Sequence, residues 1–152
     1  MFHIALLSPQ IAPNTGNIIR LCANCGASLH LIHPLGFELD DRRMKRAGLD
    51  YHEFAAIAQH DDWAAFSHWA ADKRVFGLST RGPRNYCTVK FEAEDILLFG
   101  SETQGLPQEV RDALDDRLLR LPMRPGNRSL NLANAVSIVA YEAWRQMDFA
   151  CQ

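Results

Sequence analysis

No apolar run approaches the roughly 20 residues of a membrane span, so a spanning helix is not expected. A basic stretch leading into an apolar segment is missing at the N-terminus, and no secretory signal is expected. Basic surplus is missing as well. The 16 Lys and Arg stand against 18 Asp and Glu, a formal net charge of −2, which argues against a surface coated for non-specific nucleic-acid binding. There are only four cysteines, and without an export signal they are expected as free thiols in the reducing cytoplasm.

Missing motifs exclude further chemistries. After the first apolar run the turn reads SPQIAPNTGN, with one glycine where a dinucleotide site wants G-x-G-x-x-G. The P-loop pattern G-x-x-x-x-G-K-[ST] does not occur. Ser101 lies in FGSETQG, which is not the G-x-S-x-G elbow of a serine hydrolase. Cys22 and Cys25 form C-x-x-C ahead of His30 and His33, a superficial zinc pattern. That pair falls at the end of a predicted helix, whereas a redox pair wants the helix start that stabilises a thiolate. His30 and His33 sit in and just after a predicted strand, so their side chains should face opposite ways. His3, His52, His60 and His68 form no cluster with ligand spacing. Packing thiols and no metal are expected.

What is present reads as one α/β domain. A chain of 152 residues can bury roughly 70% of its unfolded surface without staples. Its 47% hydrophobic and 22% charged content is ordinary for a soluble protein. Strand-like runs are His3–Leu7, Ser28–Ile32, Arg74–Ser79, Ile96–Phe99 and Arg117–Leu121, with a weaker run at Phe54–Ala58. Helix-like runs are Thr15–Cys25 (closed by Gly26), Asp61–Ala71, Pro107–Leu114 and Leu130–Met147. Their alternation predicts a mostly parallel sheet flanked by helices. His33–Leu39 and Arg81–Lys90 read as surface loops.

The stretch LLRLPMRPGNRSLNLANAV (Leu118–Val136) carries the most information. An apolar strand stops at Pro122, a Pro/Gly/Arg loop follows, and an amphipathic helix starts near Ser129, the predicted N-cap. Such a strand–loop–helix junction is where α/β proteins hold ligands, because the helix start presents unpaired N–H groups. NTGNIIR (Asn14–Arg20) and FGSETQGLP (Phe99–Pro107) have the same small, polar, glycine-bearing character, and the three together imply one composite site. Charge is also segregated. Glu92–Asp116 holds eight acids and one Arg, while Arg117–Tyr141 holds four Arg and no acid. Further basic clusters are Arg42, Arg43, Lys45 and Arg46, and more thinly Arg81, Arg84 and Lys90. Any one cluster can be a solvated face. Arg124 and Arg128 flank a ligand-type loop, which favours an anionic partner bound locally.

In order and spacing, the three segments resemble the motifs of the SpoU-type (SPOUT, α/β-knot) RNA ribose 2′-O-methyltransferases, along essentially the whole chain. KRAGLDYHEF (Lys45–Phe54) and YEAWRQ (Tyr141–Gln146) are most similar to the short tRNA enzymes that modify wobble cytidine or modified uridine 34. Ser101 departs slightly, since those enzymes often carry Pro there. The resemblance implies S-adenosylmethionine as cofactor and a deep trefoil knot threaded by the C-terminal segment. It places the cofactor among Leu78–Thr80, Phe99–Gly105 and Leu121–Leu130, with contacts at Leu78, Gly100, Leu121 and Ser129, and Asn131 as a positioning hydrogen-bonder. Arg20 is implied as the residue serving the reacting hydroxyl, with Asn17 and Tyr141 as secondary positioning groups. For tRNA, Arg43, Arg46, Arg124 and Arg128 are the expected contacts. A homodimer through the first and last helices is implied, with Tyr141 and Trp144 as interface aromatics. Two alternatives stay open: ribose methylation of another RNA site, such as ribosomal RNA, and a catalytically silent RNA-binding module of the same fold.

Overall fold

The computed structural model describes residues 1–40 and 57–150. Among the described residues seven strands form one sheet in the order β3-β2-β1-β6-β4-β7-β5, each of these pairings parallel. They are β1 (His3–Leu7), β2 (Ser28–Ile32), β3 (Ile57–His60), β4 (Val75–Leu78), β5 (Arg84–Asn85), β6 (Ile96–Phe99) and β7 (Leu118–Arg120). Among the described residues four helices flank them: α1 (Ala12–Cys25), α2 (Trp63–Trp69), α3 (Gln108–Leu114) and α4 (Leu132–Gln146). Parallel strands covered on both faces should read as unbroken apolar runs. β6 is such a run, ILLF, with all four residues buried.

One face of the sheet packs on α1 and α4 through Ile18, Ile19, Cys22, Val136, Val139 and Ala143. The other packs on α2 and α3 through Phe66, Val110 and Leu114. Cys22 and Cys25 belong to the first of these layers. Burial pushes both thiols above the ordinary range, so they pack as small apolar groups and are poor nucleophiles.

Several boundaries differ from expectation. α1 begins at Ala12 rather than Thr15, so NTGN is helix and not loop; Pro13 occupies the first turn, where its missing N–H costs nothing. It ends as expected at Gly26, whose φ of 69° makes the left-handed cap. α4 begins at Leu132, and Ser129 is not its N-cap. Asn131 takes that role, its side chain accepting from the Asn134 N–H at 3.3 Å. Asn caps as well as Ser does, and the later start leaves Ser129 and Leu130 in the preceding loop. β3 is described over Ile57–His60, so the expected run Phe54–Ala58 meets it at Ile57 and Ala58, and the first three residues of that run lie outside the described residues. The region read as a loop from Arg81 to Lys90 contains β5 and a 3-10 turn, Tyr86–Thr88. The predicted contacts Arg43 and Arg46 lie outside the described residues.

The order β4-β7-β5 has a topological consequence. β4 and β5 are consecutive in sequence, yet β7 lies between them. The Ser79 N–H donates to the Leu119 carbonyl at 2.9 Å. A Cβ on Gly82 would come within 2.4 Å of the Leu119 carbonyl carbon and oxygen, so glycine lets the loop lie directly on the later strand. A strand made late thus sits against a loop made early, a crossing that ordinary topology rules make rare.

The structure also corrects the reading of the histidines. His3, His30 and His60 are brought together across β1, β2 and β3. His30 Nε2 lies 3.1 Å from His3 Nδ1, and His30 Nδ1 lies 3.0 Å from His60 Nε2. Strand neighbours are close whatever their distance in sequence, which ligand spacing along the chain cannot reveal. His33 faces away and pairs with Gln59, as alternation requires. Among the described residues no group of three or more His, Cys, Asp or Glu side chains could hold a metal ion. His3 Nε2 contacts the Glu94 carboxylate at 3.1 Å, and Trp69 packs on His30 with ring centroids 4.2 Å apart.

Burial, then the positive charge of His3, His60 and Lys73, pushes the His30 pKa down to about 3. Burial lowers that of His60 too. The unfolded chain therefore binds protons more readily than the folded one below about pH 6.5. Stability is complete above that value and is lost as pH falls toward 3. His30 alone should cost about 2 kcal/mol by pH 5. Urea unfolding at pH 7 and pH 5 checks this: His30→Gln should flatten the difference, and equal wild-type stability at the two pH values would contradict it.

Candidate active site

The carboxyl ends of β4, β6 and β7 open onto one cavity of about 260 Å³, close to the lower end of the roughly 300–1,000 Å³ typical of small-ligand sites. This is the end of a parallel sheet at which ligands bind. Leu78, Gly100, Leu121 and Ser129 all line it, together with Met123, Leu130 and Leu132. The second and third sequence segments thus meet as expected.

Gly100 makes the tightest approach. A Cβ there would fall 2.0 Å from the Gly105 carbonyl carbon and 2.2 Å from the Leu106 nitrogen. The loop folds back on itself. The Gly105 N–H donates to the Ser101 carbonyl at 2.9 Å, and the Gln104 N–H to Ser101 Oγ at 3.2 Å. Ser101 thus helps to close this turn with its hydroxyl.

The first segment reaches the site through a carboxylate. α1 has no acidic residue in its first turn and no side-chain cap of its own. Glu102, from the cavity loop, supplies what is missing. Its Oε2 accepts from the Gln10 N–H at 2.7 Å, and its Oε1 accepts from the Ile11 N–H at 3.0 Å and from Asn14 Nδ2 at 3.2 Å. A carboxylate at a helix N-terminus is favoured by both the unpaired donors and the helix dipole. Asn14 passes the connection on, its Oδ1 accepting from Asn131 Nδ2 at 3.0 Å. Asn131 therefore clamps α4 to α1 and stands outside the residues that line the cavity.

Sequence reasoning did not single out Glu102. The available signal was a helix start without an acid or a capping side chain, paired with an acid in a glycine loop. Glu102→Gln keeps the shape but turns an NH₂ toward donors, and each such loss costs about 1–3 kcal/mol. The variant is expected to unfold at lower temperature and to lose turnover more than cofactor affinity, measured by thermal scans and titration.

The remaining predicted residues that the structure describes are not among those lining the cavity. Asn17 and Arg20 are exposed on α1, and the Arg20 carbonyl accepts from Asn24 Nδ2 at 2.8 Å. Tyr141 is exposed on α4, its ring edge-on to Trp144 at 5.5 Å. Arg124 and Arg128 are exposed on the loop between β7 and α4.

Residues 1–141 match the SpoU rRNA Methylase family. The chain belongs to the SpoU methylase family. It is 54% identical over 151 residues to the tRNA (cytidine(34)-2'-O)-methyltransferase of Methylovorus glucosotrophus, covering 99% of this chain and 98% of that relative. A solved structure concerned with the 2-OH methylation of C/U34 on tRNA is 44% identical with a TM-score of 0.90, covering 99% of this chain and 98% of that one. A second, an AdoMet-bound rRNA methyltransferase from Sinorhizobium meliloti, is 29% identical with a TM-score of 0.84. It is matched over 96% of this chain and 56% of its own.

Proposed function

We propose that this SpoU methylase transfers a methyl group from S-adenosylmethionine to the ribose 2′-hydroxyl of the tRNA wobble nucleotide, cytidine or modified uridine 34. Full-length similarity to tRNA (cytidine(34)-2'-O)-methyltransferases carries the reading, with three motifs tied into one site. The cavity suits an adenosine-bearing ligand. Leucines 78, 121 and 132 offer apolar faces, and Gly100 exposes backbone where a side chain would block it.

When bound, the sulfonium cofactor supplies an activated methyl group. The chain must then align the attacking oxygen and stabilise its charge. Backbone groups at Leu78, Gly100 and Leu121 hold the cofactor, with Ser129 beside them. A guanidinium does not act as a base near neutrality, so Arg20 stabilises the developing alkoxide and fixes the ribose–phosphate. Asn17 and Tyr141 position the substrate, and Arg43, Arg46, Arg124 and Arg128 contact the tRNA. The working form is a cytoplasmic homodimer through α1 and α4, whose outer face leaves Ile138 and Tyr141 exposed. An active monomer in sedimentation at micromolar concentration would remove the dimer.

Nucleoside mass spectrometry of tRNA treated with protein and S-adenosylmethionine tests the function. Methylation at ribose 34 is expected. Methylation of ribosomal RNA alone would move the substrate, and no methylation would indicate a silent binding module. Cofactor at one hundred times its Kd should stabilise the fold by about 2.7 kcal/mol. Chelators should leave activity intact, and zinc-restorable loss with EDTA would revive a metal role for Cys22 and Cys25.

A further inference from the structure

Beside the cavity the protein gathers arginines whose charge it leaves unbalanced. Arg81 stands in the cavity wall. Arg84 lies on β5 and Arg120 on β7, neighbouring strands whose register sets Arg84 opposite Leu119 and Asn85 opposite Arg120. Gly82 brings the loop preceding β5 onto the backbone of Leu119 and Arg120, so the three arginines surround the carboxyl end of β7. All three are exposed. β5 is the last strand of the sheet, and the register puts Arg84 and Arg120 on its two faces.

The partners of these guanidiniums are neutral. Arg120 Nε donates to Asn85 Oδ1 at 3.2 Å. Arg84 Nη1 donates to the backbone carbonyl of Asp116 at 3.3 Å, not to its carboxylate. Neither they nor Arg81 form an ion pair among the described residues, whereas Arg74 is paired with Asp95 and Arg145 with Glu142. A neutral acceptor orients a guanidinium without cancelling its charge, and the remaining N–H groups stay available for an anion. On a chain of net charge −2, three arginines at one sheet edge, without ion pairs among the described residues and two of them oriented by neutral acceptors, are a local anion-binding feature.

We propose that Arg81, Arg84 and Arg120 grip the phosphates of the RNA strand flanking the methylated nucleotide, making the β5–β7 edge a substrate-binding surface beyond the cavity. The proposal rests on the RNA reading above. A single strand passing round the edge meets Arg84 on one face and Arg120 on the other, while Arg81 meets it at the cavity mouth. Asn85 acts through Arg120 as a positioning residue.

The experiment measures tRNA affinity of the full-length protein across a salt series for Arg81→Gln, Arg84→Gln and Arg120→Gln. Lys73→Gln, altering a lysine paired with Asp72 before β4, is the control. Each arginine variant should weaken binding about three- to tenfold and reduce the slope of log affinity against log salt by about 0.7, one phosphate contact to a single strand. In Arg84→Gln and Arg120→Gln, cofactor affinity and the single-turnover rate at saturating tRNA should stay at wild-type values, and the control should keep wild-type tRNA affinity, salt slope and rate. Wild-type slopes in all three variants of an active enzyme would overturn the proposal alone. A wild type that methylates no RNA would overturn the reading of the site itself.

Discussion

Arg20→Ala is expected to lower the methyl-transfer rate at least about a hundredfold while S-adenosylmethionine affinity stays near wild type. The magnitude is the ~2.7 kcal/mol lost on removing one preorganised donor from a developing oxyanion. The separation follows from where the residue sits. Arg20 is exposed on α1 and is not among the residues that line the cavity, so its removal is expected to spare cofactor binding. Arg20→Lys should restore part of the rate, because an ammonium supplies charge without the planar two-pronged donor. Single-turnover rates at saturating tRNA, beside cofactor titrations, decide it. A normal rate in Arg20→Ala would make the residue structural and remove the alkoxide-stabilising role.

Arg20 can serve the reaction only if α1 is held in register with the cavity loops, and that coupling was the least legible part of the sequence. Periodicity located most of the elements, because a buried parallel strand such as ILLF and an amphipathic helix such as α4 each declare themselves within a few residues. The second and third motifs likewise located the cavity, lined by their Gly100, Leu121 and Ser129 and by Leu78. Glu102 was harder to find. Its partners at Gln10, Ile11 and Asn14 come from a distant segment, and nothing local in FGSETQG says where its carboxylate points. The Ser129 N-cap failed for a different reason. Two good caps stand two residues apart, and Asn131 was selected with Asn14 already placed to receive its amide. β5 was missed because two residues carry no period, and the three-histidine contact because strand order cannot be read from spacing.

The second large effect is expected at Gly100. β6 ends at Phe99, and the chain must reverse at once to bring Ser101 to Gly105 and close the cavity wall. A methyl group on residue 100 would sit 2.0 Å from the Gly105 carbonyl carbon, 2.2 Å from the Leu106 nitrogen and 2.3 Å from the Gly105 oxygen. All three obstacles are backbone, so no rotamer change relieves them and the loop itself must move. Overpacking of this kind costs about 1–3 kcal/mol in stability. Displacing the wall should cost a comparable amount in binding, up to about a hundredfold in cofactor affinity. The displacement also carries Glu102, and with it the support of α1, so turnover at saturating cofactor should fall as well. Gly105→Ala provides the contrast. Nothing lies within 4 Å of a Cβ there, and the substitution meets only the strain of a φ of +66°, about 1–2 kcal/mol. That variant should lose thermal stability yet keep most of its cofactor affinity. Calorimetric titration and thermal unfolding of both variants separate the two effects, and wild-type cofactor affinity in folded Gly100→Ala would show that the loop does not form the binding wall.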